Sequence, residues 1–243
     1  MEKMQHSDSA TAPPLAPKNY PGLLPAIGFI ALYFALQILC TILIMAATYD
    51  WTRTATPIAI ITGLVVSAVV QLFLMWLYLR KDGRMDALGL HDFGKLPLLK
   101  TVRIAAIWIL TAMAFNYVYA AYLIPGIGMQ DEMAKILAAI ARSPLNVAAM
   151  FFAIVVAAPV VEELLFRGML QNALAKYLPI WGAILLSSFL FALVHGQPYA
   201  IPGLMSLSLA FGYLYYRTGS LRTNIILHIA NNAFALLALQ ILN

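Results

Sequence analysis

Three ionisable side chains interrupt an otherwise apolar run of the sequence at residues 158–168. They are Glu162, Glu163 and Arg167. A charged side chain near the centre of a membrane-spanning helix costs about 2.5 to 3.5 kcal/mol on insertion scales, so such residues usually have a function. Residues four apart share a helix face, so Glu163 and Arg167 can pair, whereas Glu162 is rotated about 100° away from Glu163. The spacing predicts one neutralised carboxylate and one spare carboxylate.

The spare carboxylate of Glu162 has two interpretations. In a cavity that excludes water, a carboxylate without a cationic partner is a candidate general base. Alternatively, the three charged residues form an ion triad that only packs helices together. The charged run alone does not decide between a catalytic and a structural centre.

Two further polar pairs follow in apolar surroundings. Phe191 and His195 are four residues apart in one run, and His228 and Asn232 are four apart in another, so each pair shares a helix face. With Glu162, these side chains supply a base, a proton carrier and neutral hydrogen-bond donors. Hydrolysis of an amide by an activated water requires such a set.

The composition identifies the elements that must carry these residues. Of the 243 residues, 63% are hydrophobic and 10% are charged, and the mean hydropathy is +0.85. A soluble domain cannot cover so much apolar surface, and the apolar runs are continuous rather than alternating. We therefore predict an all-α, polytopic transmembrane helical bundle embedded in the lipid bilayer as one domain, residues 23–243.

The apolar runs predict about seven spans, of which the last three are short for a full crossing. The spans are 23–47, 57–79, 102–123, 145–176, 180–195, 201–216 and 224–242. Between the third and fourth, residues 129–142 have the pattern of a short amphipathic helix on the membrane surface. The proline-containing residues 1–22 are predicted to be a disordered cytoplasmic tail.

The basic residues predict the orientation. The polar stretch between the second and third spans, residues 80–103, holds six of the fifteen Lys and Arg residues. By the positive-inside rule this stretch and the amino terminus are cytoplasmic, and the carboxyl terminus is outside. The basic residues lie in short loops and not in a patch, so the net charge of +5 does not indicate a nucleic-acid partner.

The three motifs together resemble one family. In order and residue type, Glu162-Glu163-x-x-x-Arg167, Phe191-x-x-x-His195 and His228-x-x-x-Asn232 are similar to the motifs of the CAAX-protease and bacteriocin-processing family, which includes the type II CAAX prenyl endopeptidases. The resemblance covers about residues 145–243. It implies an intramembrane glutamate-type endopeptidase that acts on a membrane-associated peptide or protein. The short, compact chain is typical of a bacterial cell-membrane protein.

The resemblance also implies a role for each site residue. Glu162 with His195 would activate the attacking water, and His228 with Asn232 would hold the oxyanion. Glu163 and Arg167 would orient the site or the substrate carboxylate, and Phe191 would pack beside His195 or contact the substrate. No cofactor is implied, and the sequence leaves the substrate, its lipidation and the oligomeric state open.

Three other functions remain as alternatives. Glu162, His195 and His228 are residue types that bind zinc around an open position, which would make the chain a zinc-dependent membrane protease. Buried ionisable residues also serve proton relays in transport proteins, and a catalytically idle immunity protein could bind its target peptide. Matched, interrupted helices in two halves of the chain, which favour transport, are not found in the sequence.

Overall fold

The fold is an all-helical bundle, described by a computed structural model for residues 20–47, 57–81, 84–90, 93–123 and 144–242. No strand occurs in these ranges, and the predicted fold class is confirmed. Seven helices are described, with short 3₁₀ turns at Asp86–Leu88 and Pro198–Ala200. The helices are α1 Leu23–Ala47, α2 Pro57–Leu79, α3 Leu98–Leu123, α4 Pro144–Leu174, α5 Ile180–Leu193, α6 Ile201–Thr218 and α7 Leu221–Leu242.

Helices α1 to α4 are each long and apolar enough to cross a membrane, and α5 is a shorter apolar helix. The bounds of α1 and α2 coincide with those predicted. Helix α3 begins at Leu98, four residues before its predicted start, and α7 begins at Leu221, three residues before. Helix ends carry weaker sequence signals than helix centres, because capping and packing decide where a helix stops.

Helix α4 lies at the centre of the bundle. It packs against α1, α2, α5 and α7, while α3 lies on the outside against α6. Val161, Leu165 and Phe166 of α4 are almost completely buried. This placement follows from the charged residues of α4, because neighbouring helices must remove those residues from lipid.

The turns of α4 are partly wider than those of an α-helix. Phe152–Ala157 and Glu163–Gln171 are π-helical, so their backbone hydrogen bonds skip one more residue than in an α-helix. Pro159 lies between the two segments and has no amide hydrogen to donate to the preceding turn. The rotation of 100° per residue that the sequence analysis assumed for the whole helix therefore does not hold in its π-helical segments. π-helical turns of this kind frequently mark functional sites.

The loop between α2 and α3 is hydrogen-bonded to the start of α7, the helix that carries His228. The backbone N–H of Lys95 donates to the Thr218 carbonyl at 3.0 Å, and that of Arg222 donates to the Gly89 carbonyl at 3.3 Å. Gly89 has a φ of 67°, and a Cβ there would lie 2.1 Å from the Gly219 carbonyl oxygen. Only glycine permits this conformation and approach, so the loop fixes where α7 begins.

Two sequence predictions fall wholly or mostly on residues outside the described ranges. The predicted amphipathic helix, 129–142, is one of them, and residues 1–19 of the predicted tail are the other. Tyr20 is described, however, and it is buried. Its hydroxyl donates to the Gly168 carbonyl, and the backbone carbonyl of Tyr20 accepts from Lys176 Nζ at 2.9 Å. Burial raises the pKa of the Tyr20 hydroxyl well above its usual value, so it remains a donor.

Candidate active site

The carboxylate of Glu163 is the centre of the polar site. Its Oε1 lies 2.9 Å from Arg167 Nη1 and 2.9 Å from His228 Nδ1, and its Oε2 accepts from Asn224 Nδ2 at 3.1 Å. The side chain is completely buried. The predicted pairing of Glu163 with Arg167 is confirmed, because four-residue spacing keeps the two side chains on one side of the helix in this π-helical turn as well.

Arg167 is held from a second helix. Its Nη2 donates to Ser208 of α6, to the hydroxyl at 2.8 Å and to the carbonyl at 3.1 Å. The guanidinium also lies over the rings of Phe191, 4.9 Å from the centroid, and Phe211, 5.6 Å from the centroid. Such cation–π contacts stabilise a desolvated guanidinium. The buried charge is therefore paired, hydrogen-bonded and packed between aromatic rings.

His228 joins the two adjacent glutamates. A carboxylate can only accept hydrogen bonds, so His228 Nδ1 carries the proton that binds Glu163. The other ring nitrogen, Nε2, then faces Glu162 Oε2 at 3.8 Å. The ring is buried and stacks on Phe211, with centroids 4.7 Å apart and planes inclined by 26°. The orientation of His228 is thus fixed by one hydrogen bond and one ring contact.

Glu162 stands apart from the buried ion pair. Its side chain is 17% exposed, compared with 0% for Glu163, and His228 is its ion-pair partner at 3.8 Å. This separation exceeds hydrogen-bond length, so the two groups are joined directly only by a weak electrostatic contact. The structure therefore separates the glutamates into a neutralised, buried carboxylate and a spare, partly exposed one, as their spacing predicted.

His195 lies beyond the end of α5 and takes no part in the hydrogen bonds around Glu163. It follows the end of α5, it is exposed, and its Nδ1 lies 2.7 Å from the Phe191 carbonyl oxygen. Between the described side chains of His195 and Glu162 there is no hydrogen bond or ion pair. The physical reason is local: α5 ends at Leu193, Gly196 turns the chain with a φ of 68°, and the imidazole folds back onto its own helix end.

Phe191 connects His195 to the rest of the site. The ring is buried, with its centroid 4.8 Å from His195, 6.4 Å from His228 and 5.1 Å from Phe166 in an edge contact. It also lies beneath the Arg167 guanidinium. These contacts make Phe191 a packing element between α4, α5 and α7.

Asn232 is placed one turn beyond His228, towards α4. Its Nδ2 donates to the Ile154 carbonyl at 3.1 Å, and its Oδ1 accepts from Asn231 Nδ2 at 3.3 Å. Ile154 lies in the first π-helical segment of α4. The amide donor of Asn232 is thus engaged by the backbone of the helix that carries the glutamates.

Three residues of the site were not selected from the sequence. Asn224 had a readable signal, because it precedes His228 by four residues and shares its helix face. Ser208 and Phe211 had none, because a serine and a phenylalanine in an apolar run are ordinary residues of a membrane helix. Their contacts with Arg167 and His228 depend on how α6 packs against α4 and α7.

The zinc alternative requires three ligands around one metal ion. Within it, no group of three or more His, Cys, Asp or Glu side chains is arranged to hold a metal ion. Glu163 and His228 are engaged with each other, and His195 makes no polar contact with either glutamate.

The helices and the site are those of an integral membrane protein with a buried carboxylate, arginine and histidine centre. Residues 144–234 match the family described as "Rce1-like: Type II CAAX prenyl endopeptidase Rce1-like". The match confirms the resemblance to the CAAX-protease family over this segment, which contains all seven predicted site residues. No curated protein and no solved structure shows significant similarity to the chain.

The family match supports a CAAX-type membrane endopeptidase in general, that is, a hydrolase whose substrate is a membrane-associated peptide. The matched segment begins with α4 and ends within α7. It therefore includes every helix that contributes a charged or imidazole side chain to the site.

Proposed function

We propose that this protein is an intramembrane endopeptidase of a bacterial cell membrane, which hydrolyses a peptide bond with a water molecule activated by Glu162. The observation that carries the proposal is the different environment of two neighbouring carboxylates. Glu163 is buried against Arg167, His228 and Asn224, whereas Glu162 is partly exposed and lacks a paired cation within hydrogen-bond distance. A general base requires such a free, accessible carboxylate beside a proton carrier.

In the proposed reaction, Glu162 takes a proton from a water molecule as the oxygen attacks the carbonyl carbon of the scissile bond. The resulting tetrahedral intermediate has an oxyanion, which needs donors aimed at it. His228 supplies one in its imidazolium form, with Nδ1 bound to Glu163 and Nε2–H free to donate. Asn232 supplies another when the substrate carbonyl replaces that of Ile154. The protonated Glu162 then delivers its proton to the leaving amine.

His195 has a different position in this proposal from the one that the resemblance implied. His228, at 3.8 Å, is the imidazole beside Glu162, whereas His195 contacts the Phe191 carbonyl on the exposed side. His195 then joins Glu162 only if substrate binding turns its ring inward. A general base often reaches its working geometry in the substrate complex and not before.

The proposed activity is tested with purified protein reconstituted in lipid vesicles and a library of membrane-anchored peptides. Mass spectrometry of the products identifies the bond that is cut and the substrate class. A folded protein that leaves every anchored peptide intact, with and without a prenyl group, would contradict the proposal.

Metal dependence separates the proposed mechanism from the zinc alternative. We expect chelators to leave the cleavage rate and the thermal stability unchanged, because Glu162 can activate water by proton transfer alone. Metal analysis of the purified protein is the accompanying measurement. Stoichiometric zinc that is lost together with activity, and restores activity when added back, would establish the zinc alternative.

Topology determines the membrane face from which a substrate enters. We expect a reporter fused after Asn243 to lie outside the cytoplasm and a reporter inserted beside Asp92 to lie inside, because the basic residues of 80–103 favour the cytoplasmic side. Paired alkaline phosphatase and fluorescent protein fusions measure both positions. Reporters that lie on the same side would show that the number of spans between them is even.

A further inference from the structure

Asn224 lies in α7, one turn before His228, and its side chain is completely buried. We propose that Asn224 is a positioning residue: its amide fixes the carboxylate of Glu163, and through that carboxylate the ring of His228. The inference rests on the proposed function, because it concerns how the proposed site is held in its working geometry. It assigns a role to a residue outside the three sequence motifs.

Both amide hydrogens of Asn224 have acceptors. Nδ2 donates to Glu163 Oε2 at 3.1 Å and to the Phe211 carbonyl at 2.8 Å. The first acceptor belongs to α4 and the second to α6. A single NH₂ group, which has only two hydrogens, therefore joins α7 to α4 and to α6.

The contact between Asn224 and Glu163 restricts the rotation of the Glu163 carboxylate group. The terminal torsion of a glutamate is broad, so its carboxylate rotates readily unless both oxygens are held. Arg167 and His228 hold Oε1, and Asn224 holds Oε2. With the carboxylate fixed, its Oε1 faces His228 Nδ1, and the proton of the ring is kept on that nitrogen.

The consequence concerns the nitrogen that faces Glu162. When the Nδ1–H of His228 stays on Glu163, the Nε2 atom is left towards Glu162, and the imidazolium form that the proposed reaction uses presents its Nε2–H there. Without the Asn224 amide, the Glu163 carboxylate is free to rotate and the ring can adopt either tautomer. Groups that orient a reacting residue in this way typically change rates by about 10- to 100-fold.

A purely structural role for Asn224 makes a different prediction, and Gln171 provides the matched control. Gln171 is a buried amide of α4, and its Nε2 donates to the Gly212 carbonyl at 3.1 Å, the next carbonyl of α6 after that of Phe211. Both amides thus join a neighbouring helix to α6. Only that of Asn224 also donates to the Glu163 carboxylate.

The first measurement uses protein labelled with ¹⁵N-histidine and needs no substrate. The nitrogen signals of His228 are assigned by their loss in His228→Gln. In the parent and in Gln171→Leu we expect Nδ1 to be protonated. In Asn224→Leu we expect that signal to lose intensity to a second form of the ring, because Glu163 no longer holds Nδ1–H.

The second measurement separates the effect of each substitution on kcat from its effect on KM. We expect Asn224→Leu to lower kcat about 10- to 100-fold with little change in KM, and Gln171→Leu to leave kcat within a few fold of the parent. If Asn224→Leu does not fold, Asn224→Ser is used in its place. Serine is smaller and also lacks the Nδ2 donor that reaches Glu163, so we expect the same change in the His228 signals.

Unchanged His228 signals in a folded Asn224 variant would overturn the positioning role. Equal kinetic losses in the Asn224 and Gln171 variants would do the same, since they would reflect helix packing alone. Failure of the proposed function is distinguishable from both results. In that case the parent would show the Nδ1-protonated ring but would cleave no peptide.

Discussion

Replacing Arg167 by alanine is expected to lower the yield of folded protein as well as the cleavage rate. The guanidinium and the Glu163 carboxylate are both buried, with 1% and 0% of their side chains exposed. Removing one partner of a desolvated ion pair leaves an uncompensated charge, which typically destabilises a protein by about 3 to 5 kcal/mol. The measurement is the fraction of monodisperse protein after purification, together with its thermal unfolding midpoint.

The double variant Glu163→Gln/Arg167→Met is the control for this prediction. Replacing both partners by neutral side chains of similar size removes the unpaired charge, so we expect the folded yield to recover. Activity should not recover, because His228 Nδ1 would face an amide and not a carboxylate. Equal loss of folded yield in the single and double variants would disprove the contribution of the pair.

Glu162→Gln is expected to give the largest loss of activity. Glutamine keeps the size of the side chain but cannot accept the proton of a water molecule at neutral pH, so the rate should fall by at least about 10²- to 10⁴-fold. Stability and substrate binding should be retained, because Glu162 is partly exposed and its ion-pair partner, His228, lies 3.8 Å away. Binding is measured with the uncleaved anchored peptide.

Glu132→Gln is the matched control for the Glu162 variant. It removes one glutamate carboxylate from the chain at a position outside the matched segment, 144–234. We expect its cleavage rate to equal that of the parent. A loss as large as that of Glu162→Gln would show that the assay responds to a general change in the protein rather than to the proposed base.

The parts of the site that the sequence predicted are local. Glu163 and Arg167 are four residues apart, and this spacing brings them together whether the turn is α-helical or π-helical. The same arithmetic separates Glu162 from the pair. Long continuous apolar runs likewise predicted α1 and α2 to the residue, because a membrane span depends on length and hydrophobicity more than on specific contacts.

The parts that the sequence did not predict depend on how the helices pack. His228 and Glu163 are 65 positions apart, and their 2.9 Å contact requires α7 to lie against the π-helical turn of α4. No spacing rule within one helix contains that information. The π-helical turns were missed for a related reason, since hydrophobic periodicity does not distinguish a locally widened helix from an α-helix.

The positions of the His195 and His228 imidazoles relative to Glu162 could not be predicted from the sequence either. The resemblance implied that Glu162 acts with His195, but α5 ends at Leu193 and the His195 ring contacts its own helix end. Where a short helix stops is set by capping and by the following turn, here Gly196 at a φ of 68°. The imidazole that lies beside Glu162 in the structure is that of His228.

Hydrolysis of one anchored peptide in ¹⁸O-labelled water, by the parent and by Glu162→Gln side by side, tests the central claim most directly. Mass spectrometry measures the rate at which a new carboxyl terminus with a solvent oxygen appears. We predict labelled product from the parent and a rate at least about 100-fold lower from a folded variant that still binds the peptide. Equal rates of labelled product from the two proteins would contradict the assignment of Glu162 as the base that activates water.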